Sequence, residues 1–183
     1  EYGHMPGVEV TTGPLGQGLA TSVGFALAER HLAAKYGDDL VDHRTWVIAG
    51  DGCLMEGVSG EASSLAGTQK LGNLIAIYDQ NQISIEDDTD VSFTEDVKGR
   101  YEAYGWQVID VPWRKHHGTT DPEYLEDVDA LYAALQKAKT STDKPTLVIL
   151  NTVIAWPAPS KQGSGKSHGS ALGDEEISGL KKL

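Results

Sequence analysis

With a single cysteine, Cys53, the chain can form no internal disulfide, a composition that suits the cytoplasm. No apolar run approaches the ~18 residues of a membrane-spanning helix, and no signal-peptide pattern precedes the first strand. Positive charge is scarce. Fifteen Lys and Arg stand against 27 Asp and Glu, giving a net charge of −12, which argues against nucleic acid as a partner. Hydrophobic residues make up 39% of the 183 positions, on the low side but enough for one buried core. Several catalytic signatures are missing too. Gly57-Val58-Ser59-Gly60-Glu61 misses the nucleophile-elbow spacing by one position, and Glu86-Asp87-Asp88-Thr89-Asp90 lacks the glycine and terminal glutamate of a calcium-binding loop. The first is then an ordinary helix segment and the second a solvated turn.

What is present is a regular alternation of strands and helices. Leu15–Lys35 places Leu19, Val23, Ala26 and Leu27 at helical spacing and stops at Gly37. Strands are predicted at 46–49, 74–78, 107–111 and 146–152. Helices are predicted over 54–71, around 94–104 and over 122–140. The 54–71 helix carries Gly60, Ser63, Ser64 and Gly67 on one face, suited to close packing against a neighbouring backbone. Such alternation predicts an α/β fold: a parallel sheet with helices on both faces. Arg114–Asp121 reads as an exposed loop insertion, and Pro157–His168 as a mobile Pro/Gly/Ser-rich loop. The chain opens at Glu1 without a methionine and its last residues read as an unfinished helix, so the expectation is one domain, 1–183, truncated at both ends.

Chemistry concentrates where two predicted strands end. Gly50-Asp51-Gly52 closes the run Trp46–Ala49, and Asp79-Gln80-Asn81-Gln82-Ile83 follows Leu74–Tyr78. The carboxyl ends of parallel strands are where ligands bind. A carboxylate, an amide oxygen and a backbone carbonyl suit Mg²⁺, which favours oxygen and keeps phosphate oxygens as further ligands. A polyphosphate would be repelled by so acidic a chain, which makes a bridging cation more necessary. Ahead of the first helix, Gly13-Pro14-Leu15-Gly16-Gln17-Gly18 allows close backbone approach to a ligand beside free helix N–H groups, although its spacing is not the dinucleotide G-x-G-x-x-G. Taken singly, Asp51 could cap a helix, Asn81 could make an Asx turn and Glu56 could serve a helix N-terminus. His168 could be plain surface, as His4, His31, His43, His116 and His117 are read to be, and Cys53 a packed small residue.

Together, Gly50-Asp51-Gly52 and Asn81 thirty residues after Asp51 resemble the thiamin-diphosphate signature. Thr11–Gly18, Gly50–Gly57, Asp79–Ile85, Tyr101–Trp106 and Ser167–Gly173 look like transketolase, in that family's order. The resemblance implies a thiamin-diphosphate-binding fold in which Asp51, the Asn81 side chain and the Ile83 carbonyl hold Mg²⁺, with Ca²⁺ or Mn²⁺ as substitutes. It implies contacts to the cofactor from Gly13, Pro14, Leu15, Gly52, Asn81 and His168. It also implies a catalytic part for His168 and Glu56, the latter with Glu61 in a carboxylate network at a homodimer interface. The implied reaction moves a two-carbon ketol unit from a ketose phosphate to an aldose phosphate in the pentose phosphate pathway, in the cytoplasm. The pyrimidine-binding and C-terminal domains and the sugar-phosphate arginines would lie outside this chain, so that the chain alone is expected to be inactive. Alternatives are a related ketol-transferring enzyme such as dihydroxyacetone synthase or, fitting less well, 1-deoxyxylulose-5-phosphate synthase. A non-catalytic fragment or subunit that kept the fold is the remaining one.

Overall fold

In the computed structural model, which describes residues 2–85, 87–116 and 118–182, four strands form one wholly parallel sheet. They are β1 (Thr45–Gly50), β2 (Leu74–Gln80), β3 (Gln107–Val111) and β4 (Thr146–Asn151), in the order β1-β2-β4-β3. The two central strands read LIAIYDQ and TLVILN. They are almost continuously buried, as expected for strands covered on both faces. Helices α1 (Gln17–Tyr36), α2 (Asp51–Met55), α3 (Gly57–Thr68) and α4 (Val97–Ala103) contribute to the core on one face, with Leu19, Val23, Leu54, Ala66 and Tyr101 among its buried residues. Helix α5 (Val128–Ala138) packs on the other face against Ile75, Ile109, Val148 and Leu150. A last helix, α6 (Asp174–Leu180), follows. Beyond α5 that second face is partly bare. Trp46 and Ile48 of the edge strand β1 pair in register with Ile75 and Ile77, yet remain 44% and 75% exposed.

The expected α/β sheet is thus observed, with strand limits within two residues of those predicted. The helix limits needed correction. The span 54–71 is two helices, since Asp51 already begins α2 and Glu56 breaks the run with extended backbone (φ −70°, ψ 136°). The helix expected over 122–140 starts at Val128, because Asp127 caps it by accepting from the Ala130 N–H at 2.8 Å. In the same way Asp96 caps α4 and delays its start to Val97.

The small-residue face of α3 does receive a neighbour. The Ser63 hydroxyl donates to Tyr101 Oη at 3.0 Å, and Trp106 Nε1 donates to the Ser63 carbonyl at 2.8 Å. A Cβ on Gly67 would stand 1.8 Å from the Tyr104 carbonyl oxygen. Ser64 points away and is exposed.

Two loops differ from a plain surface reading. In the 114–121 insertion, Arg114 and Asp121 are buried, and Asp121 accepts the backbone N–H groups of Lys115, His116 and Glu123. The 157–168 loop buries Ala158, and its Gly163 N–H donates to the Ile154 carbonyl at 2.9 Å. Glu1, Glu86 and His117 lie outside the described residues.

Candidate metal and diphosphate site

Strand register decides which residues meet. Gly50 pairs with Asp79, so the turn after β1 and the turn after β2 lie side by side at the carboxyl end of the sheet. Asp51, the first residue of α2, is 3% exposed and is surrounded by donors. Its Oδ1 accepts from Tyr78 Oη at 2.6 Å. Its Oδ2 accepts from the Asn81 N–H at 3.1 Å and the Gln82 N–H at 2.9 Å. Burial pushes the Asp51 carboxyl above the usual carboxylate range, while Tyr78 and the two backbone groups act the other way. The carboxylate is held in place yet costly to ionise, which suits a group that expects a cation. The Tyr78 hydroxyl is itself pushed far up by burial and by the Asp51 charge, so it remains a neutral donor.

The 80–83 turn presents its oxygens by local geometry. Gln82 adopts left-handed backbone (φ 62°), and Asn81 Oδ1 accepts from the Ile83 N–H at 2.9 Å, an Asx turn. Ile83 forms an antiparallel bridge with Asp88. The bonds of that bridge run from Ser84 N–H to the Asp87 carbonyl and from Thr89 N–H to the Gln82 carbonyl. Ile83 and Asp88 are therefore the non-hydrogen-bonded pair, and the ladder does not use the Ile83 carbonyl. A carboxylate, an amide oxygen and a backbone carbonyl are the donor types that a hard, oxygen-seeking cation such as Mg²⁺ takes. Among the described residues no cluster of three or more His, Cys, Asp or Glu could hold a metal. A site with one carboxylate is of another kind, and the set fits a cation that draws further oxygens from a phosphate ligand. Beside it lies a cleft of about 320 Å³ lined by Asp51, Tyr78, Gln80, Gln82, Thr89, Asp90, Phe93, Thr94 and Glu95.

The glycine-rich turn reaches the same end of the sheet. Gly16 (φ 77°) packs so tightly on the α2–α3 junction that a Cβ would stand 2.8 Å from Val58 Cγ1 and 2.9 Å from Glu56 Cβ. A Cβ on Gly52 would meet Leu15 Cδ1 at 3.1 Å, so the Leu15 side chain lies against the first turn of α2. Glu56 and Glu61 are exposed, and Glu56 caps α3 only by position, with no side-chain hydrogen bond. His168 is exposed at the end of a short 3₁₀ turn (Gly165–Ser167). Among the described residues no hydrogen bond joins its side chain to the Asp51–Asn81 cluster. His4, His31, His43 and His116 are exposed as expected, and Cys53 is half-buried against the core. The acidic segment is less solvated than expected: Asp88 Oδ1 accepts from Asp90 N–H at 2.9 Å, Asp88 bridges Ile83, and Thr89 is buried at the edge of the cleft.

Sequence reasoning missed two residues here, Tyr78 and Arg114. Tyr78 was legible only as a strand residue, and Arg114 only as part of an exposed insertion. The one available signal for Tyr78 was its position next to the Asp79–Ile83 turn.

Comparison with known proteins identifies the family. The family model described as "Transketolase, thiamine diphosphate binding domain" matches residues 1–183. Transketolase of Nostoc sp. is 53% identical over 174 residues, covering 93% of this chain and 24% of that protein. Transketolase of Mycobacterium tuberculosis is 48% identical over 189 residues, covering 100% of this chain and 25% of that protein. The crystal structure of a Pichia stipitis transketolase in complex with sedoheptulose-7-phosphate superposes with a TM-score of 0.85 at 49% identity, over 97% of this chain and 25% of that one. The chain thus spans about a quarter of the length of the relatives it matches. With its match running the full length of the sequence, this chain belongs to the transketolase family, in the thiamine-diphosphate-binding domain.

Proposed function

We propose that this chain supplies the diphosphate- and metal-binding part of a transketolase, a transferase that moves a two-carbon ketol unit from a ketose phosphate to an aldose phosphate. The observation that carries the reading is the buried Asp51 carboxylate bonded to the turn that presents Asn81 and the Ile83 carbonyl. Asp51, the Asn81 side-chain oxygen and the Ile83 carbonyl would hold Mg²⁺, with Ca²⁺ or Mn²⁺ as substitutes, and Gly52 N–H and Asn81 would meet the diphosphate. Gly13, Pro14 and Leu15 would line the cofactor, since Leu15 already lies against Gly52. When bound, thiamine diphosphate supplies a nucleophilic thiazolium carbon that accepts the two-carbon unit from the ketose.

The remaining work is done by the chain's own groups. Asp51 anchors the cation that screens the diphosphate from an acidic domain of net charge −12. Tyr78 orients Asp51. His168, on its exposed loop, would approach diphosphate and substrate and move a proton. Glu56 and Glu61, both exposed, would join a carboxylate network across a homodimer interface. Pyrimidine-binding and C-terminal domains would complete the site. The setting is the pentose phosphate pathway in the cytoplasm, consistent with a free Cys53. Among the described residues no helix is long and apolar enough to cross a membrane.

The test is an assay of the full natural polypeptide with a ketose-phosphate donor and an aldose-phosphate acceptor, after removal of cofactor and metal. Transfer is expected only when thiamine diphosphate and Mg²⁺ are both restored. His168→Ala should cut turnover while leaving the Mg²⁺ requirement nearly unchanged. Transfer that persists without either component would overturn the reading.

A further inference from the structure

The insertion at 114–121 contains a buried arginine whose surroundings are unusual. Arg114 is 7% exposed, and among the described residues no carboxylate pairs with it within ion-pair distance. A buried guanidinium is costly unless its donors are used. Here they go to carbonyls. Nη1 donates to the Gly118 carbonyl, and Nη2 makes a long contact of 3.5 Å with the Gln80 carbonyl. The Gly118 N–H in turn donates to Gln82 Oε1 at 3.2 Å. Burial pushes the guanidinium pKa down and Asp51, Asp121 and Asp88 push it back, so these three carboxylates all lie within its field.

These contacts converge on one object. Asp51 holds the 80–82 turn through the N–H groups of Asn81 and Gln82. Arg114 holds Gly118, whose N–H holds the same turn through the Gln82 side chain, and Arg114 adds the long contact to the Gln80 carbonyl, which also accepts the Thr152 N–H at 3.1 Å. Asp121 fastens the insertion by accepting three backbone N–H groups, and the Tyr124 ring stacks edge-to-face on Trp156 at 5.3 Å. The insertion also touches the His168 loop: a Cβ on Gly163 would stand 2.4 Å from the Thr119 carbonyl oxygen. A surface ornament would need no buried cation at this place.

We propose that Arg114 is a positioning residue of the metal-diphosphate site, which with Gly118 clamps the Gln80–Gln82 turn so that Asn81 and the Ile83 carbonyl are set before cofactor arrives. The inference rests on the function proposed above. A preset turn spares the ordering cost otherwise charged against binding. Losing the clamp therefore weakens capture of Mg²⁺ and thiamine diphosphate and leaves turnover at saturation nearly intact.

The experiment compares the full natural polypeptide with Arg114→Gln, Arg114→Lys and Gln82→Asn, titrating thiamine diphosphate at fixed Mg²⁺ by calorimetry, with melting temperature and saturated turnover alongside. Arg114→Gln should raise the half-saturation concentration about tenfold, the scale of one charge-assisted hydrogen bond. Arg114→Lys, which keeps the charge but not the two-armed donor, should recover part of that loss. Gln82→Asn tolerates the left-handed backbone but is one methylene too short for Gly118, and should weaken binding in the same direction. Equal half-saturation in parent, Arg114→Gln and Gln82→Asn, with only melting temperature moved, would overturn the inference and leave the functional reading standing. If Arg114→Gln fails to fold, Gln82→Asn decides alone by the same readout. A parent that binds no cofactor at all would sink the functional reading and this inference with it.

Discussion

Asp51→Ala tests the centre of the site, and its effects can be worked through one by one. The substitution removes the single charged donor of the proposed metal set. At a separation of about 4 Å and an effective dielectric constant near 20, a pair of unit charges is worth about 4 kcal/mol. Removing one partner of a partly buried charge pair costs about 3–5 kcal/mol. The Mg²⁺ concentration needed to half-saturate cofactor binding should thus rise at least about a hundredfold. The fold should survive. Three donors lose their acceptor, Tyr78 Oη and the N–H groups of Asn81 and Gln82, but the adjoining cleft of about 320 Å³ admits water to them. Relief of a buried carboxylate offsets the rest. Asp51→Asn is the milder change for folding, because its amide oxygen can accept from the two backbone N–H groups while its N–H₂ donates to the Tyr78 hydroxyl. The pH dependence follows from burial, which raises the Asp51 pKa. A raised carboxyl stabilises the metal-free fold at low pH, and that stabilisation is lost as pH rises through the folded-state value. Mg²⁺ binding needs the ionised form, so affinity should climb with pH across a window above the ordinary carboxylate range, and should be flat there in Asp51→Ala. Calorimetric Mg²⁺ titrations of cofactor binding at several pH values, in the full natural polypeptide, measure both effects. Parent-like affinity in Asp51→Ala would refute the assignment.

Two further outcomes follow from the packing. Tyr78→Phe deletes one donor to Asp51 while keeping the buried ring, so it should cost about 1–2 kcal/mol in denaturant unfolding of the metal-free protein and shift the pH window of Mg²⁺ binding upward; unchanged stability and an unchanged window would remove Tyr78 from the site. Gly67→Ala forces a methyl to 1.8 Å from the Tyr104 carbonyl oxygen in a contact between two backbones, so a loss of about 3 kcal/mol or failure to fold is expected, checked by circular dichroism and melting; a wild-type melt would refute the packing of α3 on the 101–106 segment.

Much of this was written in the sequence because it is local. The runs Leu74–Tyr78 and Leu147–Leu150 are continuously apolar, as strands covered on both faces are, and their alternation with helical stretches made a parallel α/β sheet legible. Asp51 and Asn81 were legible as a pair because each follows such a run directly, and β-strand ends in a parallel sheet share one edge. Helix limits were less legible. Periodicity carries through a break such as Glu56, and an aspartate cap such as Asp127 competes with several neighbouring acidic residues until the backbone shows which N–H it accepts.

Tertiary structure alone decided the surroundings of Asp51. That Tyr78 turns its hydroxyl to Asp51 depends on the β1–β2 register, which no property of either residue encodes. The burial of Arg114 was the largest surprise. A stretch reading RKHHGTTD has every mark of a solvated loop, and local composition cannot report that Asp121 gathers its N–H groups or that the Gly118 carbonyl accepts from a buried guanidinium. Sequence determines what a segment does to itself through short-range hydrogen bonds and hydrophobic periodicity. Which distant backbone groups it must satisfy is set only when the chain closes on itself, since a buried polar group accepts whichever partner the fold brings within reach.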